Sequence, residues 1–290
     1  MLSHLHFEQR HDSLVGIDSD GCVFDSMRVK QCVHFHPLII RFWGLEKVEP
    51  QLRACAEFVN LNSKTRGSNR FAALIRVFAL LKEHPDVQGR GIAFPGLTAL
   101  EAYLASGVPL GNPTLKQALA QTGDAELRRV YDWSIAIDAE IAANMKPVPP
   151  FKAALEALAL IQAHSDAVVI SQTPETALTK EWDIHGIRGF VSAVAGLEFG
   201  TKAEQIRAAS GGRYAPERIL MIGDAVGDQH AATATGACFY PIMPGHEEAS
   251  WQRFCAEAYP RFLADTYAGA YAQSLADTFH AALPDLPPWR

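Results

Sequence analysis

The chain has 290 residues, of which 48% are apolar and 20% charged, and its formal net charge is −6. This composition suits a globular protein that buries a real core, and the length fits two domains better than one. The negative balance argues against non-specific attraction to nucleic acid or to an anionic membrane, so a site that handles an anion must gather its own positive charge.

The five cysteines, Cys22, Cys32, Cys55, Cys238 and Cys255, are odd in number and form no C-x-x-C pair. Neither a disulfide framework nor a structural zinc site is expected, and reduced thiols fit a cytoplasmic setting. The stretch from Met1 to Asp12 is rich in His and lacks the apolar region of a secretory signal. No apolar run reaches the roughly 18 residues of a membrane span. These features predict a soluble cytoplasmic protein.

The first element is the apolar run Leu14-Val15-Gly16-Ile17, which has the two-sided character of a buried parallel strand. From about Ser26 to Asn144 no comparable run occurs. Helical patterning covers Val29–Phe42, Phe71–Leu81, Thr98–Ala105, Thr114–Gln121 and Ala125–Ala143, with breaks expected at Pro37, His84-Pro85, Gly89–Gly91, Phe94–Gly96 and Pro109–Pro113. The segment closes on Lys146-Pro147-Val148-Pro149-Pro150, a stiff linker. A helix is predicted over Phe151–His164, a second strand over Ala167–Ile170, and an amphipathic helix over Glu175–His185. A helix over Lys202–Ala209 then precedes a third strand, Ile219–Ile222, and Pro241–Arg290 is helix-rich and aromatic. Strands alternating with helices predict a doubly wound α/β core. The expected division is a core of residues 1–25 and 150–290, interrupted by an all-helical domain over 26–149.

In such a sheet, ligands bind beyond the carboxyl ends of the strands, and polar residues with chemical potential stand at each of those ends. Asp18-Ser19-Asp20-Gly21 follows the first strand. Residues two apart on extended backbone project to the same side. Asp18 and Asp20 therefore form a close carboxylate pair in which one can stay ionised as nucleophile and metal ligand while the other holds or gives a proton; the tetrapeptide also reads as a polar turn after a strand. Gly223-Asp224-Ala225-Val226-Gly227-Asp228 follows the third strand. Hard cations such as Mg²⁺ take oxygen ligands, which Asp224 supplies together with Asp18, while Asp228 supports a metal-bound water or caps the next helix. Ser171, followed by Gln172, Thr173 and Pro174, ends the middle strand and either offers a hydroxyl and amides to a phosphoryl oxygen or caps the helix that follows. Lys202 supplies a cation for the developing charge and is preferred over Lys180, which lies inside a helix.

A strand ending in Asp-x-Asp-Gly, a second ending in Ser, a Lys, and a strand ending in Gly-Asp-x-x-x-Asp resemble, in this order and across essentially the whole chain, the haloacid dehalogenase superfamily. The helical insertion is similar to that superfamily's C1-type cap. The resemblance implies a Rossmann-like core, Asp18 as nucleophile, and Asp20 as general acid/base whose backbone carbonyl also binds Mg²⁺. It further implies phosphate binding by Ser171 and Lys202, extended here to Gln172, and metal binding by Asp224 with Asp228 in support. Two positions depart from the pattern: Cys22 stands where Thr is usual and Ser19 where an apolar residue is common.

In the insertion, Lys64, Arg66 and Arg70 lie within seven residues and are candidates for gripping the distal part of a substrate. His34 and His36, two apart on a helix, do not face each other as a metal pair and are expected to pack or lie at the surface. The expected activity is Mg²⁺-dependent hydrolysis of a small phosphorylated metabolite through an aspartyl-phosphate. The alternatives are a phosphomutase and a non-catalytic phosphate-binding protein. Neither nucleic acid nor membrane is an expected partner, and a homodimer is compatible with the sequence.

Overall fold

A computed structural model describes residues 5–290, so the first four residues of the His-rich leading stretch lie outside the described residues. The chain divides into two compact units. One comprises the residues up to Met27 together with Pro147–Leu283, and the other comprises Arg28–Lys146 together with Pro284–Arg290.

The first unit is built on five parallel strands: β1 (Leu14–Ile17), β2 (Asp166–Ile170), β3 (Ala193–Ala195), β4 (Ile219–Gly223) and β5 (Cys238–Pro241), in the spatial order β3-β2-β1-β4-β5. This is an α/β, Rossmann-like doubly wound sheet. Side-chain alternation assigns the strand residues to two cores. Val15, Ile17, Val169, Leu220, Ile222 and Tyr240 pack with the helix Lys152–His164 and with Trp251, Phe254, Tyr259 and Phe262 of the C-terminal helices. Leu14, Val168, Ile170 and Met221 pack on the other face with Ile206, Ala209, Ala231 and Ala232. Burying each large apolar side chain contributes roughly 1.5–3 kcal/mol. At Gly16 a methyl group would come within 2.6 Å of the end of the Ile170 side chain, so a larger residue there would require that side chain to shift.

Two strands, β3 and β5, were not expected. The first has only three residues, and the second begins at the half-exposed Cys238 and Phe239 and ends in Pro241. Neither gives the apolar run of a central strand.

The second unit is all-helical. Its helices are Ser26–Val29, continuing from the end of the first unit, then His36–Trp43, Glu49–Leu61, Arg70–Glu83, Thr98–Ala105, Asn112–Thr122 and Ala125–Asn144. Pro37 does not break the chain as expected. A π-helical turn, Lys30–Phe35, runs directly into His36–Trp43, and Pro37 sits in the first turn of that helix, where a missing N–H costs nothing. Pro50 plays the same part in Glu49–Leu61, a helix that was not among those expected. Trp43 and Trp133 meet edge-on at 5.6 Å in the core of this unit.

Residues 284–290 were expected with the α/β core and instead pack within the helical unit. Trp289 lies edge-on to Phe58 and tilted over His84, Asp285 pairs with Lys64 at 2.6 Å, and Arg290 pairs with Glu83. No helix among the described residues is long and apolar enough to cross a membrane.

Candidate active site

The β1–β4 pairing continues to the level of Asp18, whose amide donates to the Ile222 carbonyl at 2.9 Å. The backbone then turns tightly: the amides of Cys22, Val23 and Phe24 all donate to the Ser19 carbonyl, and Gly21 adopts φ +81°. That left-handed conformation favours glycine. The two atypical positions are absorbed by tryptophans. Ser19 is buried and its hydroxyl accepts from Trp182 Nε1 at 3.0 Å, while the carbonyl of buried Cys22 accepts from Trp251 Nε1 at 2.9 Å. Burial, then the charge of Asp18, pushes the Cys22 thiol well above its ordinary value, so it stays protonated and unreactive.

Asp18, Asp224 and Asp228 are buried, at 4%, 0% and 0% exposure, and one oxygen of each lies within 4.8 Å of the others. Lys202 Nζ stands 2.9 Å from Asp18 Oδ1 and 2.5 Å from Asp228 Oδ1. Burial works against the lysine's charge, but the two carboxylates outweigh it and hold the ammonium firmly protonated. Lys202 therefore pairs with two of the three buried acids. Burial raises the carboxyl of Asp18 well above the usual range, and Asp228 and Asp224 raise it further, with Lys202 opposing them. Asp228 is raised for the same reasons. Such a cluster lacks positive charge, and its all-oxygen donor set fits a hard divalent cation.

Two local devices hold this geometry. Thr201 and Glu204 form a capping box, the Glu204 carboxylate accepting from the Thr201 amide at 2.7 Å, which fixes Lys202 as the first residue of its helix. The T-x-x-E spacing signals this in the sequence. At Gly223, any Cβ would fall 2.3 Å from Asp228 Cγ, so only glycine lets that carboxylate approach the end of β4. Asp228 also accepts from the Ala225 amide at 3.0 Å. It therefore caps the helix Val226–Thr235 with one oxygen, as one of its two readings had it, and meets Lys202 with the other.

Asp20 receives hydrogen bonds from Thr173 Oγ1 at 2.8 Å and from Ser26 Oγ. Both hydroxyls escaped sequence reasoning, since a lone Ser or Thr in a loop carries no distinguishing signal. Ser171 is buried at the end of β2, and its hydroxyl accepts from the Thr173 amide at 3.2 Å. The next helix starts only at Glu175 after Pro174, so Ser171 is not its cap. Gln172 turns its amide to the Gly200 carbonyl at 2.9 Å. The buried Gln205, also missed, donates to the carbonyls of Ser171, Gly196 and Gly200 and ties the β2 loop to the segment before Lys202.

Lys64, Arg66 and Arg70 do not form an open basic loop. Arg66 is buried and donates to the Leu61 carbonyl at 2.9 Å, Lys64 pairs with Asp285, and Arg70 pairs with Asp138 at 2.7 Å and caps the Phe35 ring. Their charge is used within the helical unit. His34 and His36 are both buried, and His34 Nδ1 lies 3.5 Å from Glu140.

No family model matches the chain, and no curated protein matches it. Solved structures similar to it include a haloacid dehalogenase-like hydrolase from Streptococcus pneumoniae, 14% identical over 83% of this chain and 90% of that one, with a TM-score of 0.45. Another haloacid dehalogenase-like hydrolase, from Xanthomonas campestris, is 17% identical over 89% and 100%, with a TM-score of 0.46. A protein from Lactobacillus plantarum described as a phosphoglycolate phosphatase is 11% identical over 83% and 91%, with a TM-score of 0.47. With TM-scores below 0.5 these likenesses add no weight, and the chemistry rests on the residues of this chain alone.

Proposed function

We propose that this chain is a Mg²⁺-dependent phosphohydrolase of the haloacid dehalogenase type, acting on a small phosphate monoester. The observation that carries the reading is the buried cluster of Asp18, Asp224 and Asp228 around Lys202, at the carboxyl edge of a parallel sheet. The metal would be held by Asp18 and Asp224 with Asp228 in support, and the ion would neutralise charge on the phosphoryl oxygens.

Asp18 Oδ attacks phosphorus, and the bond from phosphorus to the ester oxygen breaks. Asp20, held by Thr173 and Ser26, gives its proton to the departing oxygen. In the second half, Asp20 takes a proton from water as that water attacks phosphorus. The phosphorus–Asp18 bond breaks and inorganic phosphate leaves. Lys202 and Ser171 steady the transferring group through charge and hydrogen bonding.

The test is release of inorganic phosphate from p-nitrophenyl phosphate and from a panel of phosphorylated metabolites, with and without Mg²⁺, with Asp18→Asn as control. Metal-dependent release that vanishes in the variant supports hydrolysis. Interconversion of sugar phosphates without release would replace it with the mutase reading, and no turnover on the panel would leave a binding protein.

A further inference from the structure

The helical unit contains a second cluster of potential metal ligands, unrelated to the acids of the sheet. Cys32 lies in the π-helical turn Lys30–Phe35, His36 begins the helix that follows it, and Glu57 projects from the helix Glu49–Leu61. The Cys32 sulfur, a His36 ring nitrogen and a Glu57 carboxylate oxygen all lie within 4.8 Å of one another. The sequence drew attention to His34 with His36, which do not face each other; the partner of His36 is the cysteine four residues before it.

An independent observation marks this place. His36 is fully buried, and neither of its ring nitrogens has a hydrogen-bond partner. Buried polar atoms are normally satisfied, and an imidazole with both nitrogens orphaned calls for an explanation. Its neighbour His34 at least approaches Glu140. The nearby Arg53 is already engaged, donating to Glu49 at 2.8 Å and to the Cys32 carbonyl at 3.1 Å. Burial, and then that guanidinium, lower the His36 pKa to about 4, which leaves the ring neutral.

We infer that Cys32, His36 and Glu57 form a binding site for a divalent transition-metal ion of the zinc class. Thiolate, imidazole and carboxylate together form a donor set of intermediate softness, which suits zinc and cobalt and not magnesium. Around a tetrahedral ion with bonds of about 2.0–2.3 Å, ligand atoms stand about 3.3–3.8 Å apart. Closing the cluster from separations within 4.8 Å therefore asks for no more than about 1–1.5 Å of side-chain movement. Three protein ligands leave a fourth position for water or a further ligand, and the ion would clasp the π-turn to the helix Glu49–Leu61 within the one unit.

The full chain, stripped with EDTA and kept in excess Mg²⁺ so that hard oxygen sites are filled, is titrated with Co²⁺. One equivalent is expected to give a thiolate-to-cobalt charge-transfer band in the near ultraviolet. Competition against a chromophoric chelator then measures Zn²⁺ affinity. Cys32→Ser should abolish the band. His36→Gln and Glu57→Gln should each weaken Zn²⁺ by about 100-fold or more, above the 10–100-fold cost of losing an outer-shell partner. Asp224→Asn should leave both the band and the affinity intact. A band that survives Cys32→Ser, or Zn²⁺ affinity that falls with Asp224→Asn and not with His36→Gln, overturns the site. If a variant fails to fold, X-ray absorption of wild-type protein loaded with one equivalent of zinc decides. One sulfur at about 2.3 Å beside lighter ligands supports the site, and a shell of nitrogen and oxygen alone refutes it.

Discussion

The sheet edge and the basic stretch of the helical unit handle charge in opposite ways. At the sheet edge, three carboxylates are buried together and one lysine pairs with two of them, Asp18 and Asp228. In the helical unit, Lys64, Arg66 and Arg70 are each engaged by a carboxylate or a carbonyl. Balanced charge holds an architecture together, whereas a buried imbalance persists only where a ligand completes it. The contrast supports the proposed chemistry in the first region and a stabilising role in the second, and substitutions in both can break or sharpen it.

The largest effect is expected at Asp20. Asp20→Asn should lower turnover of alkyl phosphates by about 10²–10⁴-fold and spare aryl phosphates, whose leaving groups need little proton donation; equal losses on both would remove Asp20 from the acid role. Next is Lys202→Met, with a loss of about 10²–10³-fold in kcat, the scale of removing one charge-stabilising donor. Gly223→Ala places a methyl group against Asp228 and should weaken Mg²⁺ by about 10–100-fold, as displaced supporting groups do; calorimetric titration reads this.

Arg66→Ala probes the other side of the comparison. It should cost about 1–3 kcal/mol in denaturant unfolding by orphaning the Leu61 carbonyl and leave KM for p-nitrophenyl phosphate unchanged. A raised KM with unchanged stability would restore a substrate role to this stretch.

The smallest effect is on pH dependence. Asp18 and Asp228 have raised folded pKa values, so their contribution to stability is fully present below the unfolded carboxyl pKa and is lost as pH rises through the raised values. Lys202 is raised too, so its contribution holds throughout the acid-to-neutral range. The metal-free protein should therefore gain more from Mg²⁺ at pH 7 than at pH 5, by a few degrees in melting temperature on a scale of about 2–4 °C per kcal/mol. A Mg²⁺ gain independent of pH would contradict the raised carboxyls.

Legibility in the sequence followed the same division. The central strands β1, β2 and β4 are buried on both faces and announce themselves as apolar runs, and the acids that follow β1 and β4 stand next to those runs in the sequence. β3 and β5 lie at the margins, where three residues or a half-exposed stretch leave no pattern. Thr173 and Gln205 act through contacts between distant segments, and Ser26 reaches Asp20 across the tight turn after β1, which no simple spacing encodes. The basic stretch misled because its partners, Asp138 and Asp285, lie far along the chain. Cys32 and His36 stand four apart within the predicted helix Val29–Phe42, but Glu57 lies on the helix Glu49–Leu61, which was not among the predicted elements.

The most direct test is a crystal of the protein soaked in Mn²⁺ as a visible stand-in for Mg²⁺. The prediction is an anomalous peak at the carboxyl edge of the sheet, with carboxylate oxygens of Asp18 and Asp224 among its ligands. An ion bound without either residue, or no ion at that edge, would contradict the proposed chemistry.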